Sequence, residues 1–548
     1  MSTIPKLNEI WKIRILFVGL CIVFSTMALY QYNLNVYGDT SEYLDTSARI
    51  LQKDLPYQDF WLLHPPGEVY LPAAISLISG SRVNTVLFVS SLISIIIGLM
   101  VFRLLLNITG NKWLALAAAA LVFFDGVIYH RSYKYNHMYF LLILASLFPL
   151  IKKIKEQKLG VHLIIPGFIM GAALAFRFYE TGAAIAAVLV ALAIYGYHEH
   201  LSTYQTSRSL GFFSAGIAAV LLILICLCIP FLQPMINETL FESVGHSLSR
   251  FDLYFAAPFR YMKLTPGIIH AAVAHHTLTG YLDSIYSFVL MIYFWLFFLV
   301  PILIIALTPF CLKRRKDPIL DTIILIFYLW GLFTFLRGIT RPLAWQLSAA
   351  VSPLYIVMLL LVHRLRRYQI FSPKIQKALK NSLTALVLFI CTVTVLRASR
   401  QFGQYLFKPV SDVKTPSGHL IFTDDKTASD FQAVLDYLLA NTNETDFIFT
   451  TLQLPPAFYA MSGRQNPVYY DSLIDPFIRP DPEKENRIIR ELTENKVRII
   501  IHYADYKKTE TGFAQILPRL DQFINEHYKK TEEYGQYAVY ILDQRPNK

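Results

Sequence analysis

Long apolar runs dominate the chain up to about residue 400, and short polar stretches separate them. A helix that crosses about 30 Å of hydrocarbon needs roughly 20 mainly apolar residues. We therefore predict eleven membrane helices, over residues 15–34, 84–106, 113–124, 138–151, 161–177, 181–197, 209–232, 284–311, 319–336, 342–362 and 381–398. The first run is long and is followed by no small-residue cleavage site, which favours a membrane helix over a signal peptide.

Beyond residue 400 the pattern changes to short alternating stretches. Residues 447–451 and 497–502 resemble buried strands, 534–542 a last strand, and 482–495 and 513–527 have helical spacing. This alternation predicts a small α/β domain over residues 401–548, after a membrane domain over residues 1–400. The tail has neither a glycine-rich phosphate loop nor a nucleophile elbow, which favours a lid or an acceptor-binding module.

The composition supports a membrane protein. Of the 548 residues, 55% are hydrophobic and only 16% are charged, whereas soluble domains carry about a quarter charged residues. This excludes a cytosolic enzyme, a disordered scaffold and a fibrous repeat. The net charge of +12 does not indicate a nucleic-acid partner, because the positive residues of the first 410 positions sit in short loops between apolar runs.

The basic loops predict the orientation in the membrane, because short cytoplasmic loops are enriched in Lys and Arg. The strongly basic connections are 152–158, 313–316 and 364–380, and all three lie inside if the N-terminus is cytoplasmic. We therefore expect a protein of the plasma (inner) membrane with external loops at 36–83 and 233–283. The odd helix count then places the C-terminal domain outside.

The five cysteines lie in or beside apolar segments, at positions Cys21, Cys226, Cys228, Cys311 and Cys391. The polar tail has none. The sequence therefore predicts neither a disulfide framework nor a cysteine-based metal site.

The first external loop holds the most informative polar residues. Asp39 follows the first apolar run directly, and Glu42 and Asp45 come three and six residues later, near one face if the segment is helical. One interpretation is a surface helix that Asp39 caps, with Glu42 completing a capping box. The other is that a carboxylate at the boundary of the membrane acts as a general base on a membrane-anchored substrate.

The order of residues in this loop resembles that of GT-C-fold glycosyltransferases. The similarity rests on Asp39, Tyr43, Ala48, Pro56-Tyr57, Asp59-Phe60-Trp61 and Pro65-Pro66-Gly67. The closest likeness is to the bacterial branch related to protein O-mannosyltransferases and to the transferase that adds aminoarabinose to lipid A. The helix layout and the external α/β domain are similar as well, so that the resemblance covers the whole chain as architecture.

The resemblance implies a sugar donor carried on a polyprenyl phosphate and an inverting transfer to an acceptor hydroxyl. Asp39 would be the catalytic residue that orients or deprotonates this hydroxyl. Glu42 and Tyr43 are candidates for a supporting or acceptor-binding role. Two positions depart from the family: Thr40 replaces a second acid, and His64 replaces a lysine before the double proline. A neutral histidine can still donate a hydrogen bond to the donor phosphate.

Further candidates for the donor phosphate lie in other external turns. Arg131 and Lys134 belong to the second external segment, and cations at membrane depth are costly unless paired. In the same segment Asp125 and Asn136 are candidates for a supporting role, since relatives often place an acid near the position of Asn136. The loose spacing of acids and histidines there favours ordinary interfacial residues over a metal site, so that no metal ligand is assigned and a divalent cation is left open.

The last external turn contains Arg337 and Arg341, at a place where relatives have a basic residue that faces the donor. These arginines are candidates for gripping the phosphate, and equally for interfacial anchors. Arg177 and Glu180, between the fifth and sixth apolar runs, are candidates for pairing with each other.

These observations predict a membrane glycosyltransferase of cell-envelope glycan biosynthesis, with a lipid, glycan or protein acceptor. The alternatives are a polytopic transporter or lipid flippase and a polysaccharide polymerase. The first loop with its carboxylate favours the transferase, and the chain shows no internal repeat of the kind that many transporters have.

Overall fold

The computed structural model describes residues 7–32, 39–80, 83–124, 137–242, 278–313, 317–339, 344–407, 411–416, 418–422, 425–451, 458–470, 473, 481–503 and 513–543. Within the described residues up to Phe407, the α-helices are, in chain order, α1 (Leu7–Tyr32), α2 (Asp39–Leu51), α3 (Gly67–Ser79), α4 (Val83–Thr109), α5 (Lys112–Leu121), α6 (Met138–Lys155), α7 (Ile164–Ala172), α8 (Phe178–His198), α9 (Thr203–Cys228), α10 (Leu232–Ile236), α11 (Leu278–Lys313), α12 (Pro318–Ile339), α13 (Ala344–Arg367) and α14 (Pro373–Phe407).

Each of the eleven predicted membrane segments overlaps one of these helices. Within the described residues, five helices are long and apolar enough to cross a bilayer: Asn84–Thr109, Phe178–His198, Thr203–Thr239, Pro318–Gly338 and Pro373–Arg400. The chain is therefore a multi-pass α-helical membrane protein, and the count of eleven crossings stays a prediction.

The described chain divides into two compact units. The first comprises Met1–Ala28, Leu92–Cys228 and Ser247–Gly403, and the second comprises Leu29–Ser91, Ile229–His246 and Gln404–Lys548. The first external loop and the segment after α9 thus belong to the same unit as the C-terminal domain. The domain boundary between residues 400 and 401 stays a prediction.

In the first unit, α7 and α9 approach each other closely because glycines face the contact. A Cβ atom on Gly167 would strike the carbonyl oxygen of Phe213, and one on Gly216 would strike that of Ile164. Small residues allow such backbone contact between membrane helices, where packing rather than hydrophobic burial holds helices together.

Polar contacts in the first unit join helix ends that the charge pattern assigns to the same side of the membrane. Arg364 of α13 is fully buried and forms an ion pair with Asp321 of α12. The ammonium of Lys155 donates to the carbonyl of Asn107 at 2.9 Å. These contacts agree with the prediction that these helix ends lie on the same side of the membrane. Which side that is follows from the charge pattern alone.

The C-terminal part of the second unit contains a mixed sheet and several helices. Its strands are β1 (Ser411–Thr415), β2 (Gly418–Phe422), β3 (Ile448–Thr450), β4 (Ile499–Tyr503), β5 (Tyr528–Tyr534) and β6 (Tyr537–Leu542). Its helices are α15 (Asp425–Asn441), α16 (Phe458–Ser462), α17 (Pro482–Glu494), α18 (Phe513–Ile516) and α19 (Pro518–His527). The strand order is β3-β4-β6-β5, with β3 parallel to β4 and the other pairs antiparallel, and β1 and β2 form a separate hairpin.

The core of this domain also takes in side chains from the first external loop. Trp61 and Leu63 belong to the same buried cluster as Phe449, Ile500 and Leu520, which come from β3, β4 and α19. Because burial of an aromatic and an aliphatic side chain contributes several kcal/mol, about 1.5–3 for each, the loop is an integral part of the domain.

Candidate functional site

Asp39 is the first residue of α2. Glu42 and Tyr43 lie in the same helix, at spacings of three and four residues from Asp39, and such residues share one helix face. The described part of the chain covers the backbone of these three residues and not their side chains. Asp39 therefore lies in the first turn of a helix that follows α1, within one position of the N-cap that the capping interpretation names.

The other end of α2 is fixed by the buried side chain of Arg49. Its Nε donates to Asp54 Oδ2 at 2.9 Å, and its Nη2 donates to the carbonyl of Asp59 at 2.8 Å. Its Nη1 donates to the carbonyl of Val468 at 2.8 Å, and the guanidinium stacks 4.9 Å from the Phe60 ring centroid. One arginine thus joins α2, the following turn and the chain before α17.

The turn that carries Tyr57 determines the path of the chain towards His64. Tyr57 has a φ of +66°, which is uncommon for a bulky residue and persists only where surrounding contacts impose it. Its backbone N–H donates to the carbonyl of Phe60 at 2.7 Å, and its hydroxyl donates to the carbonyl of His64 at 2.5 Å. The backbone at His64 is therefore held by a buried tyrosine, while its half-buried side chain lies beside the double proline.

A buried carboxylate connects this loop to the segment after α9. Glu238 lies in the helical turn Asn237–Glu242 and is 7% exposed. Its Oε2 accepts a hydrogen bond from the backbone of Leu62 at 3.0 Å, and its Oε1 accepts one from the Tyr469 hydroxyl. Charge-assisted hydrogen bonds of this kind are roughly twice as strong as neutral ones.

Tyr469 is the partner of Glu238 in the C-terminal domain. Its carbonyl accepts from the backbone of Trp61 at 2.7 Å, and the Arg487 guanidinium lies 3.6 Å from its ring centroid. Burial, followed by the nearby Glu238 carboxylate, raises the pKa of the Tyr469 phenol, because both disfavour a phenolate. The hydroxyl therefore stays a hydrogen-bond donor to Glu238 at physiological pH.

In the first unit, Arg337 in the last turn of α12 lies against the start of α8. Its guanidinium forms an ion pair with Glu180 and lies 4.8 Å from the ring centroid of Tyr179. The side chains are 35% exposed for Arg337 and 18% for Glu180, so the pair is neither fully buried nor freely solvated. A cation and a carboxylate that share this position provide both a donor and an acceptor for a polar ligand.

The structure places the predicted site residues in two groups. The second unit contains Asp39, Glu42, Tyr43 and His64, and the first unit contains Arg337. The remaining predicted residues lie outside the described residues, and their roles stay predictions: Asp125, Arg131, Lys134, Asn136 and Arg341.

In the described parts of the chain, no group of three His, Cys, Asp or Glu side chains lies close enough to hold a metal ion.

No protein-family model matches this sequence, and no curated protein matches it. Among solved structures, the chain is similar to ArnT from Cupriavidus metallidurans bound to undecaprenyl phosphate, with 11% identity and a TM-score of 0.43 over 96% of this chain and 97% of that one. It is also similar to ArnT from the same organism in the apo state, with 9% identity and a TM-score of 0.41 over 98% of each chain. At these values the likeness spans the chain but transfers no residue role from ArnT to this protein.

Two carboxylates of the described structure were not among the predicted site residues. Glu238 follows an apolar helix, and its contacts lie 176 and 231 positions away in the chain. The sequence makes Arg177 a candidate partner of its near neighbour Glu180, whereas the structure pairs Glu180 with Arg337, 157 positions away. The one signal in the sequence was their position, since an acid beside a long apolar run is costly unless paired.

Proposed function

We propose that this protein is a membrane glycosyltransferase, which moves a sugar from a polyprenyl-phosphate donor to the hydroxyl of an extracytoplasmic acceptor. The observation that carries the proposal is the position of Asp39. It begins an amphipathic helix that follows α1, the first predicted membrane helix, in a loop that Arg49 and Glu238 join to the C-terminal domain. A carboxylate at the start of such a helix suits chemistry on a substrate that is anchored in the bilayer.

Asp39 acts as the base in the proposed reaction. Its carboxylate accepts the proton of the acceptor hydroxyl, whose oxygen attacks the anomeric carbon of the sugar. The bond between this carbon and the lipid phosphate oxygen breaks, and the configuration inverts. General-base assistance of this type contributes roughly 100- to 10,000-fold to a rate. Glu42 and Tyr43 share the helix face of Asp39 and are proposed to support it.

The leaving group is a lipid phosphate, whose developing charge needs hydrogen-bond donors and cations. Arg337 is proposed as a charged contact and His64 as a neutral hydrogen-bond donor. Arg131, Lys134 and Arg341 are proposed for the same role from the sequence. Asp125 and Asn136 are proposed as supporting residues.

The direct test is to incubate the purified protein with a panel of polyprenyl-phosphate sugars and to measure released lipid phosphate. Undecaprenyl phosphate is a practical carrier lipid, since it is also the ligand of one ArnT structure. A membrane extract supplies lipid, glycan and protein acceptors, and a reaction without protein is the control. We expect release that depends on both the protein and the acceptor.

The same panel separates the alternatives. Movement of the glycosylated lipid between leaflets without release of lipid phosphate would identify a flippase and contradict the proposal. Formation of long glycans from lipid-linked repeat units would instead identify a polymerase.

A further inference from the structure

The second carboxylate oxygen of Glu180 is an acceptor without a partner in the described structure. Glu180 Oε1 is bound by Arg337, but Oε2 is shielded from solvent and has no hydrogen-bond partner within the described residues. Leaving a buried acceptor unsatisfied costs about 1–3 kcal/mol, and more when the group is charged. Such an atom is therefore a place where a hydrogen-bond donor of a ligand would bind favourably.

The neighbours of this oxygen indicate which ligand would fit. Arg337 provides a cation next to it, and the Tyr179 ring flanks the guanidinium at 4.8 Å. In a sugar phosphate, the sugar is joined to the phosphate through a single oxygen. When Arg337 contacts the phosphate, the hydroxyls of the sugar lie within one ring width of that contact. A carboxylate is the strongest side-chain acceptor for such hydroxyls.

We infer that Glu180 Oε2 accepts a hydrogen bond from a hydroxyl of the donor's sugar, which makes Glu180 and Tyr179 part of a sugar subsite beside Arg337. The inference rests on the proposed function, since it needs a donor in which sugar and lipid phosphate are linked. It assigns to Glu180 the recognition of the sugar and to Arg337 the recognition of the phosphate.

The competing role for Glu180 is that it only neutralises Arg337. The two roles differ in their effect on a lipid phosphate that carries no sugar. If Glu180 binds the sugar, replacing it weakens the binding of the glycosylated lipid alone. The bare lipid phosphate then binds as before, or more tightly because Arg337 loses a competing anion. If Glu180 only orders Arg337, its loss weakens both ligands equally.

The experiment compares the affinities of the full-length protein in lipid nanodiscs for undecaprenyl phosphate and for undecaprenyl phosphate linked to a panel of hexoses and pentoses. We expect the wild type to bind at least one glycosylated lipid more tightly than the bare lipid. Glu180→Gln should lower the affinity for the glycosylated lipid that binds best by roughly tenfold or more, because a charge-assisted hydrogen bond is lost. The affinity for the bare lipid phosphate should not fall.

Glu199→Gln is the matched control, because it makes the same change at the opposite end of α8. If Glu180→Gln does not fold, as judged by thermal unfolding, Glu180→Asp keeps the charge, withdraws the carboxylate by one methylene and should show the same selective loss. Equal weakening of both lipids, or no change in either, would overturn the inference. Failure of the wild type to bind either lipid would instead contradict the proposed function.

Discussion

A guanidinium that is already paired with a carboxylate can bind a phosphate only by using its other donors or by exchanging its partner. Arg337 is in this situation, since Glu180 accepts from its Nη1. Arginine has five N–H donors in a fixed fork, so one carboxylate oxygen does not use them all. The ion pair with Glu180 is therefore compatible with a phosphate contact and also fixes the direction in which the fork points.

At this scale, the first prediction is that Arg337→Gln raises the apparent dissociation constant of the donor by about an order of magnitude or more, because a charge-assisted contact to phosphate is lost. It should weaken the glycosylated and the bare lipid phosphate alike. Arg366→Gln makes the same change at an exposed position at the other end of the helices and is the control. An unchanged dissociation constant in Arg337→Gln would contradict the phosphate contact and leave Arg337 as an interfacial anchor.

Single residues could be predicted from the sequence where their local setting was distinctive. Asp39 stands directly after an apolar run and before an amphipathic segment, and this placement needs no tertiary information. Glu180 and Glu238 have no such local pattern, because their roles depend on partners more than 150 positions away. Such contacts arise only from the packing of distant segments, and a single sequence does not report them.

The junction at Glu238 gives the first prediction at the scale of elements. Glu238→Gln replaces one of the two acceptor oxygens by an N–H₂ group. The amide therefore cannot accept the hydrogen bonds of both Leu62 and Tyr469 in the geometry of the carboxylate. We expect a loss of about 1.5–3 kcal/mol of stability and a lower Tm in thermal unfolding of the full-length protein. The exposed Glu444→Gln, in the same unit, should leave the Tm unchanged. Equal Tm values for the two variants would show that the junction does not hold the loop.

The close contact between α7 and α9 gives a second prediction about the helices. Gly216→Ala places a methyl group against the carbonyl of Ile164, which should cost about 1–3 kcal/mol through a forced shift of the helices. Gly211→Ala, on the same helix but with open space around its Cβ, should be neutral or stabilising by up to about 1 kcal/mol. The measurement is the Tm of each variant in the same detergent. A Gly216→Ala protein as stable as Gly211→Ala would contradict the close approach.

The elements themselves were predictable to different degrees. The helices that overlap the apolar runs could be predicted as helices, because apolar runs of this length are rare outside a bilayer. The strands β3, β4 and β6 lie within or overlap the predicted strands. The hairpin of β1 and β2, α15 and β5 were not predicted. The strand β5 has the sequence YKKTEEY and lies at the edge of its sheet, with five consecutive residues exposed. It therefore lacks the alternation of apolar and polar residues that marks a strand in a sequence. Charged edge strands of this kind resist pairing with other chains and give no strand signal.

At the scale of the whole molecule, contacts within the second unit restrict the topology. Leu62, Glu238 and Tyr469 are joined by hydrogen bonds, so the first loop, the segment after α9 and the C-terminal domain lie on the same side of the membrane. The predicted orientation requires the same, and the charge pattern assigns this side to the exterior.

A pair of cysteine variants tests this orientation. Thr445→Cys lies at an exposed turn of the C-terminal domain, and Ser372→Cys lies at an exposed turn between α13 and α14. In intact cells an impermeant thiol reagent should label Thr445→Cys, whereas Ser372→Cys should react only after permeabilisation. The parent protein corrects for the five native cysteines. The reverse labelling pattern would place the domain inside the cell.

Asp39 is proposed to act as the base of a glycosyl transfer, and the turnover of Asp39→Asn is the test of this role. Asn caps a helix about as well as Asp, but it cannot accept a proton. The measurement is release of lipid phosphate from the donor, with thermal unfolding and donor binding as checks and Asp436→Asn, an exposed position on α15, as the matched control. If Asp39 is the base, Asp39→Asn should give a folded, donor-binding protein whose turnover falls by roughly 100- to 10,000-fold, beside a control of normal activity. Near-normal turnover by Asp39→Asn would contradict the catalytic role and leave Asp39 as a helix cap.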